Sequence, residues 1–380
     1  MRSSLRHRAL CATAIAAAFL LGFVSFASAA GESEVIAPYH SRFGRQRPIV
    51  AVVGLTRGTE TTDYLIPYGV LTQSQAAEVI ALGTEPGPIH MMPALKIEPQ
   101  ATIRDFDTRF PDGADYVIVP AVHDPNDATL IDWVRTPSHK CAIVIGVCDG
   151  VWIVANAGLL NGHRATGHWY SLSSLEKKFT GTRWARNRRY VADGSVVTTT
   201  GVTASIPVSL ALVEAIAGHD RASAVARDLG ATDWSTTHNS NDFSFSSHDI
   251  VAAARNKLFF WSHEDVGIRV SAGTDEIALA LIADPYSRTY RSQALTVADS
   301  TDAIPTRRGL KLIPDAAANS SKIPARILPQ FDSNQPVQAL DWSLNGIASA
   351  YGPSTADFVA LQMEYSAPAA SERDAGFPRH

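Results

Sequence analysis

A cysteine closes the apolar run AIVIGVC, residues 142–148, and the helix-like stretch DGVWIVANAGLL, residues 149–160, follows it directly. A residue at such a junction lies on a tight turn at the carboxyl end of a strand, where we expect Cys148 to be exposed. Its thiol would face the free N–H groups and the positive dipole end of the next helix. Both features favour the thiolate, which is the nucleophilic form. The sequence therefore indicates a protein built around one reactive cysteine.

Strand-like and helix-like segments alternate on both sides of this junction, from Pro48 to about Leu229. Apolar strands separated by helices are typical of an α/β fold with a parallel sheet covered on both faces. Such sheets bind ligands at the carboxyl ends of their strands, where Cys148 lies. Strands are predicted at residues 49–54, 77–82, 116–120, 142–147, 164–169 and 195–200, and helices at residues 63–75, 128–134, 149–160 and 206–217.

The N-terminal residues have the pattern of a signal peptide. Arg2, Arg6 and Arg8 form a basic start, residues 9–26 are apolar, and Ala27-Ser28-Ala29 is a small-residue cleavage site. We therefore expect residues 1–29 to direct the protein to the periplasm or outside the cell. The alternative is an uncleaved N-terminal membrane anchor, because the apolar run is near the lower length limit for a span.

Charge and cysteine content narrow the classes of function. The signal segment carries three of the 33 basic residues and none of the 37 acidic ones, so the mature chain is more acidic than the whole chain, and nucleic acid is not an expected partner. Cys11 leaves with the signal. Cys141 and Cys148 flank one extended strand, which holds them too far apart for a disulfide. An unpaired cysteine in an exported protein points to chemistry. The histidines lack the spacing of metal ligands, so neither a metal nor a cofactor is predicted.

The second half of the chain carries weaker signals. Residues 230–262 have a linker composition, and residues 263–365 read as a C-terminal α+β region with two short helices near its end. Three segments of this region echo the first half, which suggests a degenerate, partial second copy without a second cysteine; chance similarity is the alternative. Residues 366–380 read as a disordered tail. The echoing pairs are residues 58–63 with 273–276, 79–84 with 295–300, and 95–99 with 310–314.

Five segments between residues 48 and 229 together resemble the DJ-1/PfpI family of the class I glutamine amidotransferase-like superfamily. They are most similar to the branch that serves as the amidase-like sensor domain of AraC-type (GlxA-like) regulators. The resemblance implies a flavodoxin-like parallel sheet sandwiched by helices, and it leaves a homodimer open. The segments are GTETTDYLIPYGVL (58–71), ADYVIVP (114–120), IGVCDG (145–150), AGLLNGHRATGHW (157–169) and TTGVTA (199–204).

The resemblance also implies two side chains that act on the cysteine. Asp63, four positions before Pro67, matches an acidic residue that hydrogen-bonds the cysteine in the family. A protonated carboxyl beside a thiolate is a reasonable pair, since the negative neighbour and burial raise its pKa; the alternative is that Asp63 only caps its helix. His168 matches a histidine that approaches the cysteine, as general base or relay, or it is structural. Glu60 is interpreted as a solvated loop residue in preference to a second carboxylate.

Backbone groups around Cys148 are the candidate oxyanion donors. The N–H of Asp149 is well placed for this role, although histidine occupies that position in PfpI-type peptidases, so peptidase activity is not expected. The second donor comes from a Gly-Gly pair in the family, and Ala121 and Val122 stand there in this chain. Thr203 is a further candidate binding residue.

The leading functional hypothesis is an exported enzyme in which Cys148 attacks a small electrophilic substrate. The resemblance implies hydration or hydrolysis of carbon–nitrogen bonds, or glyoxalase-type chemistry. One alternative is a non-catalytic periplasmic module that senses or binds a small ligand; a DNA-bound regulator is not expected, because the sequence shows no convincing helix-turn-helix. A second alternative is an oxidative-stress sensor in which Asp63 stabilises a sulfinate on Cys148.

Overall fold

The computed structural model describes residues 34–231, 233–258, 263–321 and 323–366. The predicted signal peptide lies outside these residues, as does the predicted tail apart from Ser366. None of the helices in the described ranges is long and apolar enough to cross a membrane.

Strands and helices alternate in the first half of the chain. The strands are β1 (Ile49–Gly54), β2 (Arg57–Glu60), β3 (Glu78–Gly83), β4 (Ile89–Met92), β5 (Lys96–Glu98), β6 (Ala101–Thr102), β7 (Tyr116–Val119), β8 (Ile143–Gly146), β9 (Arg164–Ala165), β10 (Arg183–Trp184), β11 (Tyr190–Asp193) and β12 (Val196–Thr199). The helices are α1 (Thr61–Ser74), α2 (Ile103–Arg109), α3 (Ala128–His139), α4 (Val151–Asn156), α5 (Trp169–Lys178), α6 (Ser205–Ala217) and α7 (His219–Leu229).

The central sheet has seven strands in the order β11-β12-β8-β7-β1-β3-β6. All neighbouring strands are parallel except the edge strand β11, which runs antiparallel to β12. Successive residues of β1 feed two different cores, since Val50 and Val52 join one cluster of buried side chains and Ala51 and Val53 join the other. A strand buried on both faces explains why its sequence is continuously apolar. The α/β fold with a helix-covered parallel sheet is confirmed.

Two predicted elements near the cysteine differ from the structure. The strand expected at residues 164–169 is limited to β9, because helix α5 already begins at Trp169 and buries Leu172 and Leu175. The helix expected from Asp149 starts as a short 3-10 turn, Cys148–Gly150, and α4 then ends at Asn156 before Gly158 adopts a positive φ of 80°.

The described residues of the second half form four α-helices and six strands. Four strands form a parallel sheet in the order β17-β14-β13-β18, and the segment predicted as a linker contains helix α8. The strands are β13 (Glu264–Arg269), β14 (Ser292–Ala298), β15 (Ile304–Pro305), β16 (Lys311–Leu312), β17 (Ala316–Ala317) and β18 (Arg326–Ile327). The helices are α8 (Ser247–Leu258), α9 (Glu276–Ser287), α10 (Ala339–Tyr351) and α11 (Pro353–Gln362).

The two halves share one of the two clusters of buried side chains. Helix α9 packs against α1, and β16 pairs antiparallel with β5, which joins two hairpins into a five-stranded sheet of order β15-β16-β5-β4-β2. Ile66 and Leu71 of the first half and Ile277 and Leu281 of the second half belong to the same cluster of buried side chains. The helix α9 is therefore packed directly behind α1, the helix that carries Asp63.

Candidate active site

Cys148 lies on the predicted tight turn at the carboxyl end of β8. Its backbone is left-handed, with a φ of 54°, a conformation that costs a non-glycine residue on the order of 1–3 kcal/mol. The turn is fastened on both sides, since the Cys148 N–H donates to Thr199 Oγ1 at 3.0 Å and the Val147 N–H donates to the Val119 carbonyl at 2.9 Å. A side chain at Gly150 is excluded, because its Cβ would lie 2.0 Å from the same carbonyl oxygen.

The expected exposure of Cys148 is wrong, since the residue is only 6% exposed. Burial raises the pKa of its thiol well above the ordinary value, and the charges of Asp63, Asp149 and Glu60 raise it further. The hydrogen bond from the Asp149 backbone N–H to the thiol lowers the pKa but does not outweigh these effects. The turn and the helix dipole therefore do not by themselves produce a thiolate; the carboxyl beside the thiol must be considered with it.

Asp63 is completely buried in the first turn of α1. One of its oxygens, Oδ2, accepts a hydrogen bond from the Ala121 N–H at 3.1 Å. Burial raises the pKa of Asp63 to about 7, although the Ala121 hydrogen bond and the charge of Arg288 lower it. At neutral pH this carboxyl is poised between its two forms, and in the protonated form it no longer repels a thiolate on Cys148.

Glu60, and not Asp63, caps helix α1. Its Oε2 accepts hydrogen bonds from the Asp63 N–H at 2.6 Å and from the Thr62 hydroxyl at 2.8 Å. The side chain is buried, so the interpretation of Glu60 as a solvated loop residue is wrong. Burial raises its pKa well above the ordinary value, and the charges of Asp63 and Asp284 add to this effect. The sequence signal that could have revealed it is an acceptor side chain three residues before Asp63 at a helix start.

The second half places a cation and a carboxylate against this group. Arg288 follows the last residue of α9, and its Nη2 donates to Glu60 Oε1 at 2.8 Å. Its Nε donates to Asp284, which is completely buried and also accepts from the Thr62 hydroxyl at 3.4 Å. Sequence analysis did not single out either residue, because nothing in the local pattern of α9 shows which part of the first half it meets.

The predicted oxyanion donors, the backbone N–H groups of Asp149, Ala121 and Val122, have different partners. Hydrogen bonding from the Asp149 N–H lowers the pKa of the Cys148 thiol, so this donor acts on the thiol. The Ala121 N–H is taken by Asp63, and the Ala121 carbonyl accepts from the Glu60 N–H at 2.8 Å. Val122 is buried beside Ala121 and forms an isolated bridge with Thr59. The binding roles of Ala121 and Val122 stay predictions.

The side chain of Asp149 is held away from its own backbone donor. Its Oδ2 accepts from the Ser171 hydroxyl at 2.9 Å. Its Oδ1 is buried and has no hydrogen-bond partner among the described residues. Within those residues, no group of three or more His, Cys, Asp or Glu side chains is arranged to hold a metal ion.

His168 contacts the C-terminal segment of the described chain. Its Nε2 lies 3.2 Å from the Gln362 carbonyl oxygen and 4.0 Å from Glu364 Oε2. Glu364 is buried and also accepts from the Gly201 N–H at 2.6 Å and from His238 Nε2 at 2.8 Å. These contacts explain a structural position for His168, and its role as general base stays a prediction.

Thr203 meets the same segment. Its hydroxyl donates to the Glu364 carbonyl oxygen at 2.8 Å, and its N–H donates to the Met363 carbonyl oxygen at 3.3 Å. Both polar groups are engaged within the protein, so a binding role for Thr203 also stays a prediction. Residues 362–365 therefore fasten the C-terminal end of α11 to the loops that follow β9 and β12.

Comparison with known proteins places this site in a family. The family model described as DJ-1/PfpI family matches residues 50–215, which include the Cys148 turn and Asp63. Isonitrile hydratase from Pseudomonas putida is 30% identical over 173 residues, which cover 43% of this chain and 70% of that protein. The chain belongs to the DJ-1/PfpI family. The HTH-type transcriptional regulator CdhR from Pseudomonas aeruginosa is 30% identical over 102 residues, which cover 26% of this chain and 30% of the regulator.

Solved structures also resemble about half of the chain. Drosophila melanogaster DJ-1beta is 18% identical with a TM-score of 0.44, and the match covers 49% of this chain and all of that one. An AraC family transcriptional regulator from Pseudomonas putida is 15% identical with a TM-score of 0.42, and the match covers 47% of this chain and 98% of the regulator. The second half, from residue 264 onward, lies outside the match to the DJ-1/PfpI model.

Proposed function

We propose that this DJ-1/PfpI protein is a cysteine-dependent hydratase that adds water to small neutral electrophiles with a carbon–nitrogen multiple bond, of the isonitrile class. The observation that carries the proposal is that Cys148, on its strained turn, lies near enough to the buried Asp63 for the charge of Asp63 to raise the pKa of the thiol, while the pKa of Asp63 is itself raised to about 7. The relationship to isonitrile hydratase supports the choice of substrate class.

The charges around Cys148 favour a neutral substrate. Three carboxyl groups, Asp63, Glu60 and Asp149, lie close enough to raise the pKa of the thiol. Negative charge brought into this buried region is therefore disfavoured, and an anionic substrate would meet the same repulsion as the thiolate. A small uncharged electrophile avoids that cost.

The reaction follows from one proton shared by Asp63 and Cys148. The sulfur of Cys148 attacks the terminal carbon of R–N≡C, and the thiol proton moves through the Asp63 carboxyl to that carbon, which gives the thioimidate R–N=CH–S–Cys148. Water then adds to the same carbon, and the carbon–sulfur bond breaks. The formamide R–NH–CHO leaves, and the thiol regains its proton. One water is consumed and nothing is oxidised or reduced.

Two other features take defined parts in this scheme. The Asp149 N–H, which already donates to the sulfur, stabilises negative charge on it when the carbon–sulfur bond forms and breaks. The Ala121 N–H holds the Asp63 carboxyl in place through Oδ2, so that Oδ1 is the oxygen available for the proton. The Ser205 hydroxyl donates to Oδ1 at 3.5 Å.

Hydration of cyclohexyl isocyanide tests the proposal. The protein is incubated with this probe, and N-cyclohexylformamide is measured by chromatography for the wild type and for Cys148→Ala. We expect steady formamide production by the wild type and none above the uncatalysed background by the variant. Folded wild-type protein that makes no formamide, or a Cys148→Ala variant that keeps its activity, would contradict the proposal.

A ligand-binding module without turnover is the second candidate. It is favoured by one observation, the engagement of the Ala121 N–H with Asp63, which leaves that donor occupied. The relationship to a transcriptional regulator fits the same hypothesis. Saturable binding of the isocyanide by both wild type and Cys148→Ala, with no formamide from either, would select this candidate. The oxidative-sensor hypothesis stays a prediction, because the raised pKa of the thiol bears equally on oxidation of Cys148 and on its attack on a substrate.

We also propose that the protein is exported, on the strength of the signal pattern in residues 1–29. Expression in a Gram-negative host followed by fractionation tests this. We expect the mature protein in the periplasm or the medium, with an N-terminus near Ala30. Uncleaved protein in the membrane fraction would support the N-terminal anchor instead. Uncleaved protein in the cytoplasm would contradict export.

A further inference from the structure

The second half of the chain repeats the first half in a shortened form. With β2 and α2 left aside, the element order β1-α1-β3-β4-β5-β6-β7 reappears in the described part of the second half as β13-α9-β14-β15-β16-β17-β18. The strand orders agree as well, since β6-β3-β1-β7 of the central sheet corresponds to β17-β14-β13-β18. A helix pair follows in each half, α6 with α7 and α10 with α11. The pairs are joined by Gly218 and Gly352, whose φ angles of 83° and 94° are alike.

The shortened copy lacks the region that holds the cysteine. Residues 120–204, between β7 and α6, contain β8, the Cys148 turn and β12. The matching interval between β18 and α10 is only residues 328–338. The second copy therefore keeps the strands and helices that pack around a site and has no counterpart of the nucleophile.

Equivalent elements meet where the two copies touch. Helix α1 packs against its counterpart α9, and β5 pairs antiparallel with its counterpart β16. The approach of the helices is close, since a Cβ on Gly69 would lie 2.6 Å from Ile277 Cγ1. Contact between equivalent elements is characteristic of a two-fold, isologous interface. The second copy thus occupies, within one chain, the position of a partner subunit.

Arg288 is the residue through which this built-in partner reaches the site. Its Nη2 donates to Glu60 Oε1 at 2.8 Å, and Glu60 in turn accepts from the Asp63 N–H at 2.6 Å. Two residues thus connect the second copy to the acid beside Cys148. The guanidinium is also close enough to be influenced by Cys148, whose charge raises the pKa of Arg288.

We propose that Arg288 is a positioning residue of the Cys148 site, supplied by the second copy, and that it keeps the Glu60–Asp63–Cys148 group in its working charge state. The positive charge lowers the pKa of Asp63 and of Glu60, and by reciprocity it favours the thiolate of Cys148. It also holds Glu60 at the start of α1, so that Asp63 keeps its place. The substrate readout of this inference rests on the proposed hydratase function, but the labelling readout does not.

The pH dependence of iodoacetamide labelling at Cys148 tests the role of Arg288. In Arg288→Met, two buried carboxyls, Glu60 and Asp284, lose their cation. We expect the labelling midpoint to move to higher pH by about one unit, which slows labelling roughly tenfold below the midpoint. Arg288→Lys keeps the charge and should recover most of the shift, while losing part of the rate because a lysine does not reproduce the forked contacts.

Arg308 provides a matched control at the same interface. It also joins the copies, since its Nε donates to Gln73 at 3.0 Å and its Nη1 donates to Asp275 at 3.0 Å. The charges that raise the pKa of Arg308 are those of Asp275 and Glu276, whereas Cys148 is among those that raise the pKa of Arg288. Arg308→Met should lower stability and leave the labelling midpoint unchanged. An equal shift in Arg308→Met, or no shift in Arg288→Met, would overturn the positioning role.

A charge-balanced double variant keeps the test decisive if Arg288→Met folds poorly. Arg288→Met with Asp284→Asn removes one charge of each sign, and these two charges act on Asp63 in opposite directions. We expect a labelling midpoint near that of the wild type, and a midpoint about one unit above that of the wild type would contradict the charge argument. If labelling shifts as expected but no variant or wild type hydrates isocyanide, the hydratase proposal fails and the role of Arg288 stands.

Discussion

The first half of the chain and the second half, which we treat as its shortened copy, start their first helix in the same way and then differ at the third helical residue. In the first copy, Glu60 caps α1 and accepts from the N–H of Asp63. In the second copy, Asp275 caps α9 and accepts from the N–H of Ala278. The cap is common to both, whereas the acid and the cysteine turn occur in the first copy alone. The capping carboxylate is therefore a structural feature of both helices, whereas Asp63 and Cys148 are specific to the candidate active site.

Asp63→Asn should have the largest effect, because it removes the titratable group that only the first copy has. We expect the rate of isocyanide hydration to fall by about 100-fold or more, the range for loss of a positioned acid–base group. The matched control is Ala278→Ser at the equivalent helix position of the second copy, which should change the rate less than about twofold. Equal losses in the two variants would mean that the copies do not differ in the way described.

Asp63 also predicts how stability depends on pH. Its pKa is about 7 in the folded protein, above the ordinary value of 3.8, so the folded state binds the proton more tightly than the unfolded state. The resulting stability is fully present below about pH 4 and is lost as pH rises through about 7. Urea unfolding of wild type and Asp63→Asn between these limits measures this contribution by difference. A wild type whose stability relative to the variant does not fall over this range would contradict the raised pKa.

Gly69→Ala should weaken the contact between the copies. The new Cβ would lie 2.6 Å from Ile277 Cγ1, so either the Ile277 side chain or the helix α9 must move. We expect a loss of about 1–3 kcal/mol in the free energy of unfolding, in the range for overpacking. Ala348→Gly, at a partly buried position of α10, is the control, because it makes the reverse exchange in a helix away from this contact. It should lower the free energy of unfolding by about 1 kcal/mol. A neutral Gly69→Ala would show that the helices are not closely packed there.

The two caps should have similar effects on stability and different effects on chemistry. Glu60→Ala and Asp275→Ala each remove a helix cap, which costs about 1 kcal/mol. Only Glu60→Ala should alter the pH dependence of Cys148 labelling, because Glu60 raises the pKa of that thiol. A change of the labelling profile in Asp275→Ala as large as that in Glu60→Ala would remove the distinction between a structural cap and one that also serves the site.

Cys141→Ser should have the smallest effect. Cys141 is exposed and free, whereas Cys148 is buried and free. We expect a change in unfolding free energy within about 0.5 kcal/mol and unchanged hydration of isocyanide. Mass spectrometry of the labelled variant, produced without residues 1–29, should then show a single slow modification, at Cys148. Loss of activity in Cys141→Ser would mean that the wrong thiol has been assigned to the site.

Much of the first half could be predicted from sequence because its signals are local. Continuous apolar runs such as Ile49–Gly54 are strands buried on both faces, and the helix ended by Gly218 was predicted within one residue of its observed start. The turn at Cys148 followed from the junction of an apolar run with a helical one. The family resemblance carried by residues 58–204 was confirmed by the match to the DJ-1/PfpI model.

The environment of Cys148 could not be predicted in the same way. Its burial and the burial of Glu60 depend on contacts between distant parts of the chain; Arg288 and Glu60 are separated by 228 positions. No periodicity in α9 reports which helix it packs against. The weak sequence similarity between the two halves was the one available signal of their relationship, and the strand orders of the two sheets agree with it.

The most direct test of the central claim is the pH dependence of iodoacetamide labelling at Cys148 in the wild type and in Asp63→Asn. The account holds that one proton is shared between the thiol and a carboxyl whose pKa is about 7. It predicts that wild-type labelling responds to pH near 7 as well as at the higher pKa of the thiol, and that Asp63→Asn loses the response near 7. A profile with a single ordinary thiol transition, identical in the two proteins, would contradict the pairing of Asp63 with Cys148.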